Sequence, residues 1–169
     1  MQQTTQDINH PSDDGITLRP TGVADAQAVG EFLVTLAPGA RPLCFFSQSS
    51  ESRIADYWAK PDDAVDHFGL VAVDAAGAVV AHGAYIRMYG PRAELALDIA
   101  EGVDRGALGS LLVGRLAEVA RHNGIRSFVA VGPVSNTEVI ALFSSGADVP
   151  EDRRSWSVIE FPTSAPAPD

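Results

Sequence analysis

The stretch RAELALDIAEGVDRGALGSLL, residues 92–112, joins a strand pattern to the start of a helix. Its first eight residues alternate in polarity, which places every second side chain on one strand face. The apolar face comprises Ala93, Leu95, Leu97 and Ile99. Leucines then recur at helical spacing, starting at Leu108. Gly106, Gly109 and Arg105 stand where the helix begins, and a helix N-terminus favours an anion. This junction is therefore either an anion site or an ordinary helix start.

The patterns on either side of this stretch predict the rest of a sheet. Residues 68–74 and 78–88 form two strand patterns, joined by a turn at residues 75–77. With residues 92–99 they predict three consecutive antiparallel strands, and the strand at 127–131 completes a right-handed crossover. Further strands are predicted at 16–20 and 156–161, and further helices at 29–36, 54–58 and after a capping box at 135–138. The fold class is α+β with a mixed, mostly antiparallel sheet.

The composition of the chain argues against several classes of function. The 169 residues suffice for one domain, with 46% apolar residues and a net charge of −10 from 12 basic and 22 acidic side chains. Basic residues do not cluster, so no nucleic-acid partner is expected. No apolar run is long enough to cross a membrane, and we expect a cytoplasmic protein. Cys44 is the single cysteine and the histidines lack ligand spacing, so no metal site is expected.

Domain boundaries follow from the same composition. Polar residues 1–14 are expected to be a disordered leader, residues 15–161 the domain, and residues 162–169 a tail rich in proline and alanine.

Familiar phosphate-binding loops do not account for the junction at 104–109. A Walker loop needs a lysine after its glycines, and the dinucleotide fingerprint needs three spaced glycines after a first strand. Instead, AELALDIAEGVDRGALGSLLVGRLAEVARHNGIRSFVAVGPVSNTEVIALF, residues 93–143, resembles the acetyl-CoA-binding core of the GNAT superfamily of N-acyltransferases. The resemblance extends over residues 15–161 and implies helices on both faces of the sheet. The segment PLCFFSQ, residues 42–48, is similar to that of bacterial protein-lysine acetyltransferases.

The resemblance implies a pyrophosphate-binding turn that is degenerate in this chain. The family pattern, Gln/Arg-x-x-Gly-x-Gly/Ala, falls on residues 104–109, where only Gly109 matches. Asp104 stands at the Gln/Arg position and Ala107 at the first glycine, and a carboxylate repels phosphates. The residues expected to contact the pyrophosphate are Arg105, Gly106, Ala107, Leu108, Gly109 and Ser110.

The same resemblance assigns the remaining site residues. Glu94 is expected to be the general base, the alternative being a solvated strand residue paired with Arg92 or a neighbour. The backbone of residues 98–100, namely Asp98, Ile99 and Ala100, is expected to bind the pantetheine arm, with the Asp98 N–H facing the thioester carbonyl. Asn136 is expected to contact the cofactor or to be an ordinary helix residue.

Two further residues are ambiguous at this stage. Phe143 stands where the family often has a tyrosine acid, and it cannot donate a proton. His82 could be a base or a substrate contact, and a packed or surface histidine is the favoured interpretation.

These assignments predict an N-acetyltransferase that moves acetyl from acetyl-CoA to a primary amine. The acceptor is a protein lysine or a small-molecule amine, and the resemblance makes a homodimer possible. The alternative is a catalytically weak or inactive GNAT-fold module that binds acyl-CoA and serves regulation or interaction.

Overall fold

The described part of the chain forms one seven-stranded sheet with an α-helix on each face. The structure, a computed structural model, describes residues 10–11, 15–36, 66–132 and 157–164. The strands are β1 (His10–Pro11), β2 (Thr17–Pro20), β3 (His67–Val73), β4 (Val79–Arg87), β5 (Arg92–Ile99), β6 (Ser127–Gly132) and β7 (Ser157–Pro162). The helices are α1 (Ala26–Thr35), preceded by a 3-10 turn at Val23–Asp25, and α2 (Arg105–His122).

The strands follow one another across the sheet in chain order. All neighbouring pairs are antiparallel except β5 and β6, which run parallel. A parallel pair needs a crossover connection, and α2 provides it. The turn between β3 and β4 contains Gly77, whose φ of 84° suits glycine. The mixed, mostly antiparallel sheet predicted from the alternating patterns is confirmed.

Two separate cores place the helices on opposite faces. The larger core joins α2, through residues such as Leu112 and Leu116, to the apolar residues of β5, such as Leu95 and Leu97. The smaller core joins Val29, Phe32 and Leu33 of α1 to Val71 of β3. Helices on both faces, the arrangement implied by the resemblance, are thus confirmed.

Helix α2 is fixed at both ends and along its length. The Asp104 side chain caps its start, and the backbone leaves the helix through Gly124 at a φ of 76°. Against the sheet, Gly83 of β4 permits close approach. A Cβ atom built there would lie 3.2 Å from the side chains of Leu97 and Leu116.

Helix α1 is tied to the sheet by an ion pair. The guanidinium of Arg19, on β2, donates two hydrogen bonds of 2.7 Å to the Asp25 carboxylate just before the helix. The hydrogen bond from Arg19 lowers the pKa of Asp25.

The chain ends differ from expectation at four residues. His10 and Pro11, within the expected disordered leader, pair with β2. Pro162 ends β7, and Thr163 is buried with its N–H donating to the Arg126 carbonyl at 3.0 Å, although both lie within the expected tail. The helices expected at 54–58 and after 135–138, like Cys44, lie outside the described residues. None of the described helices combines the length and apolarity needed to span a membrane.

Candidate active site

The sheet opens between β5 and β6. The two strands pair from Arg92 with Ser127 to Leu95 with Ala130, and their pairing stops there. Yet β5 continues to Ile99 and β6 to Gly132. Within the described residues, the carboxyl ends of these two parallel neighbours are therefore no longer paired with each other, and we call this unpaired stretch the split.

The register of β4 and β5 determines which main-chain groups face the split. Ala100 N–H donates to the Val80 carbonyl at 2.9 Å, and Met88 N–H donates to the Arg92 carbonyl at 2.8 Å. The register between these two bonds is continuous. In an antiparallel pair such bonds recur at every second residue, so even-numbered residues of β5 direct their N–H and C=O groups towards β4.

Odd-numbered residues of β5 consequently direct their main-chain groups towards β6. Past the last rung at Leu95, these residues are Leu97 and Ile99. The direction of the Asp98 N–H therefore differs from expectation, because it points to β4 rather than into the split. Ala100 is likewise committed to β4 through Val80. Leu97 was not among the expected residues, although the alternation of main-chain directions along a strand is the signal that identifies it.

Side chains of the even-numbered residues line the face towards α1. Glu94 is half-buried on this face, opposite Ile86 of β4. Arg92 lies 3.7 Å from Glu160 of β7 and forms an ion pair with it. Nearer the split, Asp98 is only 6% exposed, so the face expected to be polar is buried at this end of β5.

A histidine stands directly across from Asp98. His82 of β4 pairs with Asp98 in the register and is 1% exposed. Burial lowers the pKa of His82 from 6.5 to about 4, because desolvation disfavours the imidazolium form. Its side chain is therefore neutral at neutral pH. The interpretation of His82 as a packed histidine is correct about its burial. The register of β4 and β5 also shows that an aspartate, Asp98, is its cross-strand neighbour.

The expected phosphate turn forms the first turn of α2. Asp104 is the N-cap, and its Oδ1 accepts a hydrogen bond from Ala107 N–H at 3.0 Å. This carboxylate is an internal anion at the helix N-terminus, where the helix dipole favours negative charge. Arg105 is half-buried and Gly106 is exposed in the same turn.

The later residues of the expected turn belong to the body of the helix. Leu108 N–H donates to the Asp104 carbonyl at 3.0 Å, and the Leu108 side chain is part of the larger core. Gly109 is buried. Ser110 Oγ donates to the Gly106 carbonyl at 2.8 Å. Of the expected set, Arg105, Gly106 and Ala107 thus carry the main-chain donors of the helix start.

A cleft of about 380 Å³ adjoins this first turn. Its walls come from Ile16 just before β2, the β3–β4 hairpin, the loop that precedes α2 and the first turns of α2, and they are mainly apolar. Asp74 and Asp104 contribute two carboxylates to it. Because β6 contributes no lining residue, this cleft is distinct from the split. Asn136 and Phe143 lie outside the described residues.

A comparison with protein families identifies the class of protein to which this chain belongs. The Acetyltransferase (GNAT) family matches residues 35–147, which is more than half of the chain. The chain belongs to the GNAT acetyltransferase family. A comparison with curated protein sequences finds no match.

Solved structures share the fold. The GNAT domain of PAT from S. lividans is 24% identical, with a TM-score of 0.72 over 87% of this chain and 90% of that one. A phosphinothricin acetyltransferase from Sinorhizobium meliloti, solved in complex with acetyl-CoA, is 18% identical, with a TM-score of 0.67 over 88% of each chain. YncA from Salmonella typhimurium, solved with its cofactor acetyl-CoA, is 19% identical, with a TM-score of 0.67 over 91% of this chain and 98% of that one.

Proposed function

We propose that this protein is an N-acetyltransferase that transfers acetyl from acetyl-CoA to a primary amine. The observation that carries the proposal is the split, which leaves main-chain groups of Leu97 and Ile99 beside an opening at the carboxyl ends of two parallel strands. An extended amide-containing chain can add to such an edge by strand-like hydrogen bonds. The pantetheine arm of acetyl-CoA is such a chain, and two of the similar structures were solved with acetyl-CoA.

The first turn of α2 fits the pyrophosphate only in part. Arg105 and Gly106 lie at the helix start, where unbonded N–H groups and a full positive charge favour an anion. Asp104 opposes pyrophosphate binding, because a phosphate near Ala107 must approach or displace the capping carboxylate. We therefore propose that acetyl-CoA is held mainly by the split and by Arg105 and Gly106, with Asp104 weakening its affinity.

Glu94 is our proposed general base. Its half-buried carboxylate lies on the α1 face of β5, three residues before Leu97. The acceptor ammonium loses a proton to Glu94, directly or through water, and the nitrogen bonds to the thioester carbonyl carbon. The carbon–sulfur bond breaks, the thiolate leaves with its electron pair, and it takes up the second proton that the nitrogen loses as the amide forms. Main-chain N–H groups of Leu97 and Ile99 stabilise the negative charge that develops on the carbonyl oxygen.

The acceptor in this proposal is a protein lysine or a small-molecule amine. The name of the phosphinothricin acetyltransferase represents the small-molecule class. A second candidate function is a GNAT-fold module that binds acyl-CoA weakly and without turnover, and the Asp104 cap favours it because that carboxylate opposes a phosphate.

Calorimetry with acetyl-CoA and with CoA tests the proposal. We expect binding that Gly106→Glu weakens at least about tenfold, because the new carboxylate stands at the helix start. Glutamate in a first helical turn suits the helix dipole, so this variant should fold. Gly106→Gln is the matched control of similar size, and we expect it to retain most of the affinity.

Turnover then separates the two candidate functions. Release of free thiol from acetyl-CoA in the presence of a panel of primary amines supports the transferase. Binding without thiol release for any amine supports the module instead, and absence of acetyl-CoA binding at millimolar concentration excludes both.

A further inference from the structure

The cleft beside the first turn of α2 has the size and the apolar walls of a small-molecule site. Its volume of about 380 Å³ falls within the range of about 300–1,000 Å³ that is typical of ligand pockets. Its half-buried wall residues pack against the larger core, so the walls are held in place without a ligand. The apolar lining residues are Ile16, Val80, Val103, Ala107, Leu108 and Leu111.

Two carboxylates give the cleft a negative charge. Asp74 Oδ1 accepts hydrogen bonds from the N–H groups of Ala76 and Ala78, at 2.9 and 2.8 Å. Asp104 Oδ1 accepts its hydrogen bond from a main-chain N–H as well. These donors are neutral and do not cancel the charge of a carboxylate. None of the described residues that line the cleft is basic, and Arg105, although next to Asp104 in the chain, is not among them. The complementary occupant is therefore a cation with an apolar body.

We propose that the cleft binds an alkylammonium ion and that its occupancy strengthens the binding of acetyl-CoA. The alkyl chain contacts the apolar walls, and the ammonium group lies at Asp74 and Asp104. This site is separate from the split, because its strand residues come from the β2–β4 side of the sheet and the split lies across β5.

Asp104 links the cleft to the first turn of α2. Its Oδ1 lies 3.0 Å from the Ala107 nitrogen and 3.4 Å from the position of a Cβ atom on Gly106, and the same side chain lines the cleft. A cation at this carboxylate reduces the negative charge that opposes a phosphate at the helix start. This coupling rests on the proposed function, whereas binding of the cation in the cleft does not.

The first test uses the unaltered protein without CoA. N,N-dimethylhexylamine is cationic at pH 7, and as a tertiary amine it gives no stable amide and is not an acceptor. N,N-dimethylhexanamide is neutral and similar in shape. Calorimetry should show at least about tenfold tighter binding of the amine, as a charge-assisted contact requires. Equal binding of the two probes, or binding of neither at millimolar concentration, overturns the proposal.

The second test removes the carboxylates one at a time. Asp74→Asn keeps an oxygen that accepts the two hairpin N–H groups, and asparagine suits a turn. Asp74→Asn and Asp104→Asn should each weaken binding of the amine about threefold or more and leave the amide unaffected. The double variant should bind both probes equally, and a preference for the amine in that variant contradicts the proposal. Glu31→Gln is the charge control, on exposed α1 across the sheet, and should change neither affinity.

The third test fills the cleft. Val80 is half-buried on β4, where an aromatic residue suits the strand. Val80→Phe should weaken binding of the amine and of the amide alike, by about tenfold or more. Val34→Phe makes the same change at a position of α1 that is 64% exposed and should have no effect. Unchanged affinity for the amine in Val80→Phe locates the amine elsewhere and overturns the proposal.

The fourth test measures the coupling. Calorimetry with acetyl-CoA, in the presence of saturating N,N-dimethylhexylamine, should show about threefold tighter binding or better. Saturating acetyl-CoA should tighten binding of the amine by the same factor, because coupling between two sites is reciprocal. Asp104→Asn should eliminate this coupling. An acetyl-CoA affinity that the amine leaves unchanged or lowers overturns the regulatory role of the cleft.

The outcomes distinguish this inference from the proposed function. If acetyl-CoA binds and acetyl is transferred while the amine and the amide bind alike, this inference alone fails. If acetyl-CoA does not bind, the proposed function fails, and the preference between amine and amide still decides whether the cleft is a cation site. Circular dichroism of each variant confirms that it is folded before the affinities are compared.

Discussion

The Asp104 carboxylate and the Ala107 N–H are joined by a hydrogen bond of 3.0 Å at the start of α2. The same carboxylate oxygen lies 3.4 Å from the position of a Cβ atom on Gly106, so it covers the exposed first turn. A side chain of this protein thus occupies the place where a helix N-terminus ordinarily receives an external anion. One aspartate therefore stabilises the helix and opposes a phosphate.

Asp104→Asn separates these two effects. Asparagine caps helices about as well as aspartate, so the stability should be nearly unchanged. Removal of the negative charge should raise the affinity for acetyl-CoA about tenfold, which corresponds to about 1.4 kcal/mol. Calorimetry measures the affinity, and thermal unfolding checks the stability.

Glu118→Gln is the matched charge control for Asp104→Asn. It lies about 21 Å along α2 from Asp104, beyond the range of screened electrostatics. It should leave the affinity unchanged. Equal affinities of the unaltered protein and Asp104→Asn for acetyl-CoA contradict the assignment of Asp104 as the carboxylate that opposes a phosphate at the start of α2.

Gly83→Ala should destabilise the fold by about 1–3 kcal/mol through overpacking. The added methyl meets Leu97 and Leu116 at 3.2 Å, between β4 and α2. Gly106→Ala makes the same chemical change at an exposed helical position and should be neutral or stabilising, since alanine favours a helix. Urea unfolding of both variants measures the difference. Equal effects show that α2 does not pack on Gly83 as described.

Most of the described fold was predictable because its periodic patterns are local. The alternation of residues 92–99 identified β5 with its observed bounds, and the leucine spacing identified α2. The short pairing of His10 with Leu18 was not predictable, since nothing in two residues marks a strand. The docking of Thr163 on Arg126 likewise depends on tertiary contact.

The site was predictable only in its outline. A period of two assigns side chains to faces, but the direction of the Leu97 main chain depends on the register with β4. The end of pairing after Leu95 and the burial of Asp98 beside His82 arise from neighbouring strands. The role of Asp104 as an N-cap was predictable, because aspartate is favoured immediately before a helix. The phosphate motif alone indicates only that Asp104 replaces a glutamine or arginine.

Glu94→Gln should lower kcat by about 10²–10⁴-fold if Glu94 is the general base. The glutamine keeps the size of the side chain on the α1 face but accepts no proton. Acetyl-CoA affinity should remain, because the main-chain groups at the split are unaffected. The rate of thiol release from acetyl-CoA with an active amine measures kcat, and calorimetry measures the affinity for acetyl-CoA. Unchanged turnover removes Glu94 from this role.

The stability of the protein should rise with pH between about 4 and 6.5, and His82 should account for part of that rise. Burial lowers its pKa from 6.5 to about 4, so within this window the unfolded chain binds a proton that the folded chain does not. The free energy of unfolding therefore falls as pH falls through the window, by up to about 3 kcal/mol from this residue. Urea unfolding of the unaltered protein and of His82→Gln across the window isolates the contribution, because groups such as Asp25, whose lowered pKa removes stability in stronger acid, are common to both. Parallel curves for the two proteins contradict the burial of a neutral His82.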